Sequence, residues 1–288
     1  MAARLITGLA AMALCAGAAE AQMLQIKGSD TVINLVQRMA EIYMQKNPGK
    51  QIAVTGGGTG TGIAALINGK CDVANASRTM KQSEVASAMA NGVDPVRIVI
   101  GMDGVSVIVN GSNTVDQLTM DQLGKIFRGE VTNWSEVGGK NMPITLYGRQ
   151  PNSGTFGFFM EVVLKGDYSP KMNQMNGNAQ IVEAVKSDPS GIGYVGVGYA
   201  KTATGIVVLK VARSSSGPFA SPLNAAEVNS GAYPIARPLN QYVSGAPKGA
   251  VKDFIAFELG PEGQKLVEEE GFFPLPDEYA TYNQKAGF

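Results

Sequence analysis

Histidine is absent from all 288 residues. That removes Ser-His-Asp and Cys-His nucleophilic catalysis, imidazole metal ligation and the commonest general base near neutral pH. An excess of charge is missing too: Lys plus Arg number 24 and Asp plus Glu 24. No global field draws this chain to nucleic acid or to an anionic membrane, so any anion it binds is held by local groups. Cysteine occurs only at Cys15 and Cys71. A long apolar run is lacking as well, since Leu5 to Ala18 offers about 14 small and apolar residues, too few to span a bilayer.

That apolar run belongs to a processing segment. Met1 to Arg4 are positively charged, and Ala19-Glu20-Ala21 makes an A-x-A site, so residues 1–21 read as a signal peptide cut before Gln22. A lipid-attached start at Cys15 is disfavoured by bulky Leu14, where such sites want a small residue. The mature chain then keeps one thiol and no internal disulfide. Export with a single thiol fits a bacterial periplasm, where a large core does without staples.

Glycine is abundant, with 36 residues gathered in turns between apolar runs. Strands are expected at Leu24–Lys27, Gln51–Thr55 and Asp72–Ala76. Each runs into a turn rich in hydroxyls or glycine: Gly28-Ser29-Asp30-Thr31, Gly56 to Gly62, and Ser77-Arg78. Helical spacing of Val32, Leu35, Val36, Met39, Ile42 and Tyr43 follows the first, and a short helix over Ile63–Ile67 the second. Strands alternating with helices argue for a parallel sheet, with ligands outside the carboxyl ends of the strands. The glycine run misses the dinucleotide fingerprint, whose third glycine would fall on Thr61 or Ile63. It misses the P-loop too, since Ile63 stands where Lys is required.

Further along, Thr119 is expected to cap a helix holding Leu123, Ile126 and Phe127, closed by Gly129, and Trp134 reads as a packing residue. Ile144–Tyr147 should be a strand, Phe156–Leu164 a buried helix, Lys165–Gly177 a polar loop and Val207–Val211 one strand. Pro234 to Val243 should cross back to the first domain. Helices carrying Phe254, Ile255 and Phe257, then Leu266 and Val267, follow it, and the tail from Phe272 packs on the outside.

Between the Ile144 strand and the Phe156 helix lies Arg149-Gln150-Pro151-Asn152-Ser153-Gly154-Thr155. Unpaired amides and the helix dipole favour negative charge at such a turn, and Arg149 adds a planar fork of donors suited to an oxyanion. On its own the pattern also fits a plain Ser-Gly-Thr cap with a solvated arginine.

Taken in order, these motifs, with Leu118 to Gly129, Asn133-Trp134 and Tyr233 to Pro238, resemble the periplasmic phosphate-binding proteins of ABC-type phosphate importers. The likeness covers essentially all of the mature chain, and Arg-x-x-x-Ser-Gly-Thr with the glycine loop is its most specific part. It implies a type II periplasmic binding protein fold, α/β, with two α/β lobes and a ligand cleft joined by two crossing strands. Residues 22–103 and 233–288 would form lobe I, and 104–232 lobe II. The implied phosphate contacts are Ser29, Asp30, Thr31, Thr59, Ser77 and Arg78 from lobe I, and Arg149, Ser153, Gly154 and Thr155 from lobe II. Thr59 stands where many members have serine. Arg78 replaces an aspartate found in some members, and Asp30 a threonine found in many, as though an acidic group had moved between turns.

The resemblance implies a monomeric carrier of inorganic phosphate, partnered by an ABC transporter membrane permease, with no catalytic residue, cofactor, metal or nucleic acid. Other readings stay open at this point. One is a binder of another oxyanion or a small phosphate ester. A second is a secreted hydrolase using Ser153 or Thr155 as nucleophile, and a third an adhesive protein with a vestigial cleft.

Overall fold

The computed structural model describes residues 23–288, so the expected signal peptide lies outside them. The chain opens with β1 (Leu24–Gly28) and α1 (Ile33–Lys46), whose apolar face buries Leu35, Val36, Met39, Ala40 and Tyr43. Asn47 ends the helix by donating its side-chain amide to the Tyr43 carbonyl at 2.8 Å. There follow β2 (Ile52–Gly57), α2 (Thr59–Ile67), β3 (Val73–Ala76), α3 (Gln82–Ala90) and β4 (Pro95–Gly104). After Val105 the chain continues as β5 (Ser106–Asn110), β6 (Gln117–Thr119), α4 (Met120–Arg128), β7 (Thr145–Arg149) and α5 (Gly154–Phe159). Next come β8 (Asn173–Met175), α6 (Asn178–Ser187), β9 (Gly191–Val195), α7 (Val197–Lys201), β10 (Ile206–Val208), β11 (Lys210–Ala212) and α8 (Ala225–Asn229). The chain closes with β12 (Ala236–Ser244), α9 (Gly249–Leu259), α10 (Pro261–Glu269) and α11 (Asp277–Gln284).

Two five-stranded sheets result, in the orders β2-β1-β3-β12-β4 and β10-β5-β9-β7-β8, with β6 and β11 paired separately. This is the two-lobed α/β arrangement expected. β1, β2 and β3 are parallel, so the turns after all three emerge on one edge. In the second sheet β7 runs parallel to β8 and β9, which places Arg149 at the corresponding edge. β12 pairs antiparallel with β4 along its whole length, from Ala236 opposite Gly104 to Ser244 opposite Pro95. Beside that pair, Tyr233 is fully buried and donates its hydroxyl to the Val105 carbonyl at 2.6 Å.

Packing fixes the second edge. Phe159 stacks on Tyr194 at 4.3 Å between centroids and meets Phe127 edge-on at 5.0 Å. The Tyr194 hydroxyl accepts the Arg149 N–H at 3.1 Å, so an aromatic core ends in a polar atom that holds the end of β7. Trp134 is fully buried, its indole N–H donating to the Ser190 carbonyl at 3.0 Å. Thr119 and Gly129 bound α4 as expected, the hydroxyl capping the Gln122 N–H and Gly129 in the left-handed region.

Several local expectations change. The glycine run is not loop throughout, because α2 begins at Thr59. The helix after Arg149 is α-helical only to Phe159 and widens into a π turn over Met160–Leu164, which Lys165 ends in left-handed geometry. The polar stretch after it contains β8, a short edge strand on β7. The strand expected at Val207–Val211 divides at Leu209, with β10 in the large sheet and β11 beside β6. Phe272 and Phe273 are core residues, not outer packing, and Phe273 bridges to Met102.

Candidate functional site

Four turns meet between the sheets. In the first, Ser29 and Thr31 are buried while Asp30 keeps partial exposure. The Ser29 hydroxyl oxygen accepts the Thr31 N–H at 3.2 Å. Asp30 does not cap α1. Its Oδ1 accepts the Gly57 N–H at 2.7 Å, and its Oδ2 accepts Arg149 Nη2 from the opposite lobe. The Asp30 carbonyl accepts the Tyr199 hydroxyl at 2.9 Å. Burial pushes that hydroxyl up to about 12, so it stays a donor at any physiological pH.

In the second and third turns Thr59 and Ser77 lie side by side, both buried. Thr59 Oγ1 accepts the Ser77 N–H at 3.0 Å and lies 3.3 Å from Ser77 Oγ. The glycine-loop amides are mostly engaged by protein. Gly57 N–H goes to Asp30, Gly58 N–H to the Gly28 carbonyl, and Gly60 N–H to the Asn152 carbonyl across the cleft.

The fourth turn brings Arg149, Ser153, Gly154 and Thr155. Arg149 is 2% exposed, far from a solvated surface residue. Its Nη2 donates to Asp30 and to the Asn176 carbonyl, but Nε and Nη1 are buried with no hydrogen-bond partner in the protein. Ser153 caps α5, its Oγ accepting the N–H groups of Thr155 at 3.2 Å and Phe156 at 3.4 Å. Gly154, the first residue of α5, faces the other lobe so closely that a Cβ there would overlap Thr59 Oγ1 and Ser77 Oγ. Thr155 Oγ1 lies 2.9 Å from Thr31 Oγ1, again across the cleft.

Arg78 is placed differently from the others. Its two Nη atoms grip the Glu84 carboxylate at 2.7 Å each, which holds that carboxyl below its ordinary range despite opposing burial. The guanidinium stands at the wall of an adjoining cavity of about 400 Å³, together with Lys81, Phe158, Glu161 and Arg237.

Two site residues escaped the sequence reading. Arg237, on β12, is 2% exposed and paired with Asp103 on β4, itself fully buried. Its Nε and Nη2 donate to Asp103 Oδ2 at 2.9 and 2.7 Å, Nη1 to the Ser77 carbonyl at 2.7 Å, and Nη2 also to Thr155 Oγ1 at 3.0 Å. Burial lowers the Arg237 pKa and the Asp103 charge counteracts it. The only signal available beforehand was the Tyr233 to Pro238 stretch, which contains Arg237 without marking it.

The chemistry of the set is narrow. Ser29, Thr59, Ser153 and Thr155 each accept a hydrogen bond through the hydroxyl oxygen, which leaves their protons to be donated. With the two free Arg149 nitrogens, the cleft presents donors, and Asp30 is the acceptor among them. Such an array matches a small polyoxygen anion. Among the described residues, no three His, Cys, Asp or Glu side chains group so as to hold a metal.

Comparison with known proteins bears on the same array. The model of the PBP superfamily domain matches residues 16–262. The phosphate-binding protein PstS of Pseudomonas aeruginosa is 32% identical over 271 residues, covering 88% of this chain and 83% of that one. Protein SphX of Synechococcus elongatus is 34% identical over 269 residues, covering 90% and 79% respectively. Among solved structures, a substrate-binding protein from Clostridium perfringens with bound phosphate superposes with a TM-score of 0.79. It is 26% identical and covers 88% of this chain and all of its own. An ABC-type phosphate transport receptor from Vibrio cholerae gives 0.71, with the same identity and coverage.

Proposed function

The chain belongs to the PBP superfamily, and from that premise we propose that it is the periplasmic solute-binding component of an ABC-type importer. It captures inorganic phosphate between its lobes and delivers it to a membrane permease. The observation that carries this reading is Arg149: a guanidinium 2% exposed, with Nε and Nη1 unpartnered by protein. Leaving buried charged donors unpaired costs on the order of 1–3 kcal/mol or more, so the fold keeps them for a ligand. Around them stand the hydroxyls of Ser29, Thr31, Thr59, Ser77, Ser153 and Thr155, with Gly154 letting the two lobes approach. Arg78 stands apart from this set, its guanidinium held by Glu84 at the adjoining cavity.

Asp30 supplies selectivity. Two donors already bind its oxygens, yet a carboxylate has about four lone-pair sites and can take a further proton donor. Phosphate near neutral pH carries a proton to offer; sulfate does not, and meets only repulsion. Four or five charge-assisted bonds give a gross of roughly 6–15 kcal/mol. Ordering and closure subtract from that, leaving about −8 kcal/mol, a micromolar complex. Donors from both lobes make the anion favour the closed form.

The reading as a carrier, not a hydrolase, is supported by the surroundings of the two candidate nucleophiles. Ser153 Oγ is bonded to amides, and Thr155 Oγ1 to Thr31 and Arg237. A nucleophile needs a base within hydrogen-bond reach, and the carboxylates of Asp30 and Asp103 are turned to other donors. Calorimetric titration of the phosphate-stripped mature protein with phosphate, sulfate, arsenate and a phosphate monoester tests the whole reading. Tight phosphate and arsenate binding, weak sulfate binding and an ester left intact are expected. Absence of phosphate binding would end it.

A further inference from the structure

Two buried guanidinium groups flank the cleft and differ in one respect: Arg149 has two nitrogens open to a ligand, whereas each nitrogen of Arg237 already donates to protein. Resting on the phosphate reading above, we propose that Arg237 is a positioning residue that fixes the direction of the Thr155 and Thr31 hydroxyl protons. It thereby makes the cleft select the phosphate dianion over the monoanion.

A guanidinium can donate but never accept. Because Arg237 Nη2 lies 3.0 Å from Thr155 Oγ1, the threonine oxygen is committed as an acceptor. Its single proton then goes to the ligand or to Thr31 Oγ1, 2.9 Å away. In the second case the Thr31 proton is the one left for the ligand. Either way this pair turns a proton toward the ligand, and Arg237 occupies one lone pair that would otherwise compete for a ligand proton. Asp103 enforces the arrangement. Its Oδ2 holds both Nε and Nη2 of Arg237, and its Oδ1 accepts the Val197 N–H at 2.9 Å, so it is occupied away from the threonines.

The other hydroxyls are polarised in the same sense by backbone amides: Ser29 by Thr31, Thr59 by Ser77, and Ser153 by Thr155 and Phe156. Asp30 is therefore the one charged acceptor turned to the ligand's protons, against neutral hydroxyl oxygens that already accept from protein. The dianion carries one proton and is matched. The monoanion carries two, and its second proton is left with an Asp30 that already accepts Gly57 and Arg149, or with a neutral hydroxyl lone pair, a poorer match.

The titration concerned is the ligand's. The charged and titratable groups facing Arg237 are Asp103, Arg149 and Tyr194, with Arg78, Lys81 and Glu161 across the adjoining cavity. Burial pushes Tyr194 up to about 12. Glu258, lifted by burial to about 8, lies against Gln241 on the same strand and serves as the control.

The test is calorimetric titration with inorganic phosphate at about pH 6 and about pH 8, which bracket the neutral range. The wild type is expected to bind total phosphate roughly tenfold more tightly at the higher pH. Thr155→Val removes the acceptor while leaving Arg237 with Asp103 and Ser77, and D103N/R237Q removes the fork without changing net charge. Each is expected to bind about tenfold more weakly at the higher pH and to reduce the pH ratio to about twofold or less. E258Q is expected to keep the wild-type ratio. Should the double variant not fold, Thr155→Val carries the test alone. A wild-type ratio retained in Thr155→Val at lower affinity would make Arg237 a mere strut and overturn the proposal. So would a wild type indifferent to pH, or an E258Q that loses the ratio. A wild type that binds no phosphate at either pH overturns the phosphate reading and this proposal together.

Discussion

The Asn152 carbonyl caps the first turn of a helix in the opposite lobe, accepting the Gly60 N–H at 2.9 Å, while the Asn152 amide donates back to the Gly57 carbonyl at 2.8 Å. Approach is so close that a Cβ on Gly58 would strike the Asn152 carbonyl, and Gly58 has φ 90°, which other residues rarely adopt. These contacts join the lobes without using the ligand's donors. Asn152→Ala keeps the carbonyl and removes the amide. A net hydrogen bond of about 0.5–1.5 kcal/mol corresponds to release about 2–10-fold faster, with association unchanged. Stopped-flow displacement of phosphate measures both rates; unaltered release would mean that Asn152 contributes nothing to closure.

Gly154 gives a second prediction. Alanine suits the first turn of a helix, so Gly154→Ala should unfold within about 2 °C of the wild type in the absence of phosphate. Its Cβ, however, would sit where Thr59 Oγ1 and Ser77 Oγ are when the lobes meet. Overpacking of this kind costs about 1–3 kcal/mol, which lowers phosphate affinity about 5–150-fold. Paired melting and calorimetry separate the two effects. Equal losses in both would point to a folding defect instead.

A third concerns Asp30. Asparagine keeps one acceptor but removes the charge that opposes an unprotonated anion and pairs with Arg149. In Asp30→Asn the preference for phosphate over sulfate should narrow at least about tenfold, chiefly through stronger sulfate binding. An unchanged ratio in competition titrations would remove Asp30 from the selectivity argument.

The turns that hold Ser29 to Thr31 and Arg149 to Thr155 were legible in the sequence because their chemistry is local. A strand ends, hydroxyls and a glycine follow, and a helix begins. Arg237 was not, because what makes it a site residue lies far away. Asp103 is 134 positions distant and Ser77 160, and Ala236-Arg237-Pro238 has no local sign of either. The partners of Asp30 were not legible, since Gly57 and Arg149 come from two other turns. β8 was missed because Asn173-Gln174-Met175 has no apolar alternation; it is a strand only by its pairing with β7. Glu258 stands four residues after Phe254 and three after Ile255, so helical spacing puts it on the face of those two buried side chains.

That glutamate carries the last prediction. Glu258 is fully buried, with Oε1 accepting Gln241 Nε2 at 3.0 Å while Oε2 and Gln241 Oε1 have no partner. Burial raises its carboxyl from an ordinary value near 4.5 to about 8, with the Gln241 bond opposing. Below about pH 4.5 the folded and unfolded chains both hold the proton. Between there and about pH 8 the folded chain keeps a proton that the unfolded chain has released. Stability therefore falls as pH rises across this window and levels off above it, by an amount of order 3–5 kcal/mol at most. Glu258→Gln keeps the shape and an acceptor for Gln241, adds an N–H where the carboxyl proton would be, and cannot ionise. Its melting temperature should match the wild type near about pH 5 and exceed it by several degrees near about pH 9, at about 2–4 °C per kcal/mol. Melting curves that run parallel across that range would mean that Glu258 is ionised in the folded protein. The buried charge would then need a partner beyond Gln241 to hold it there.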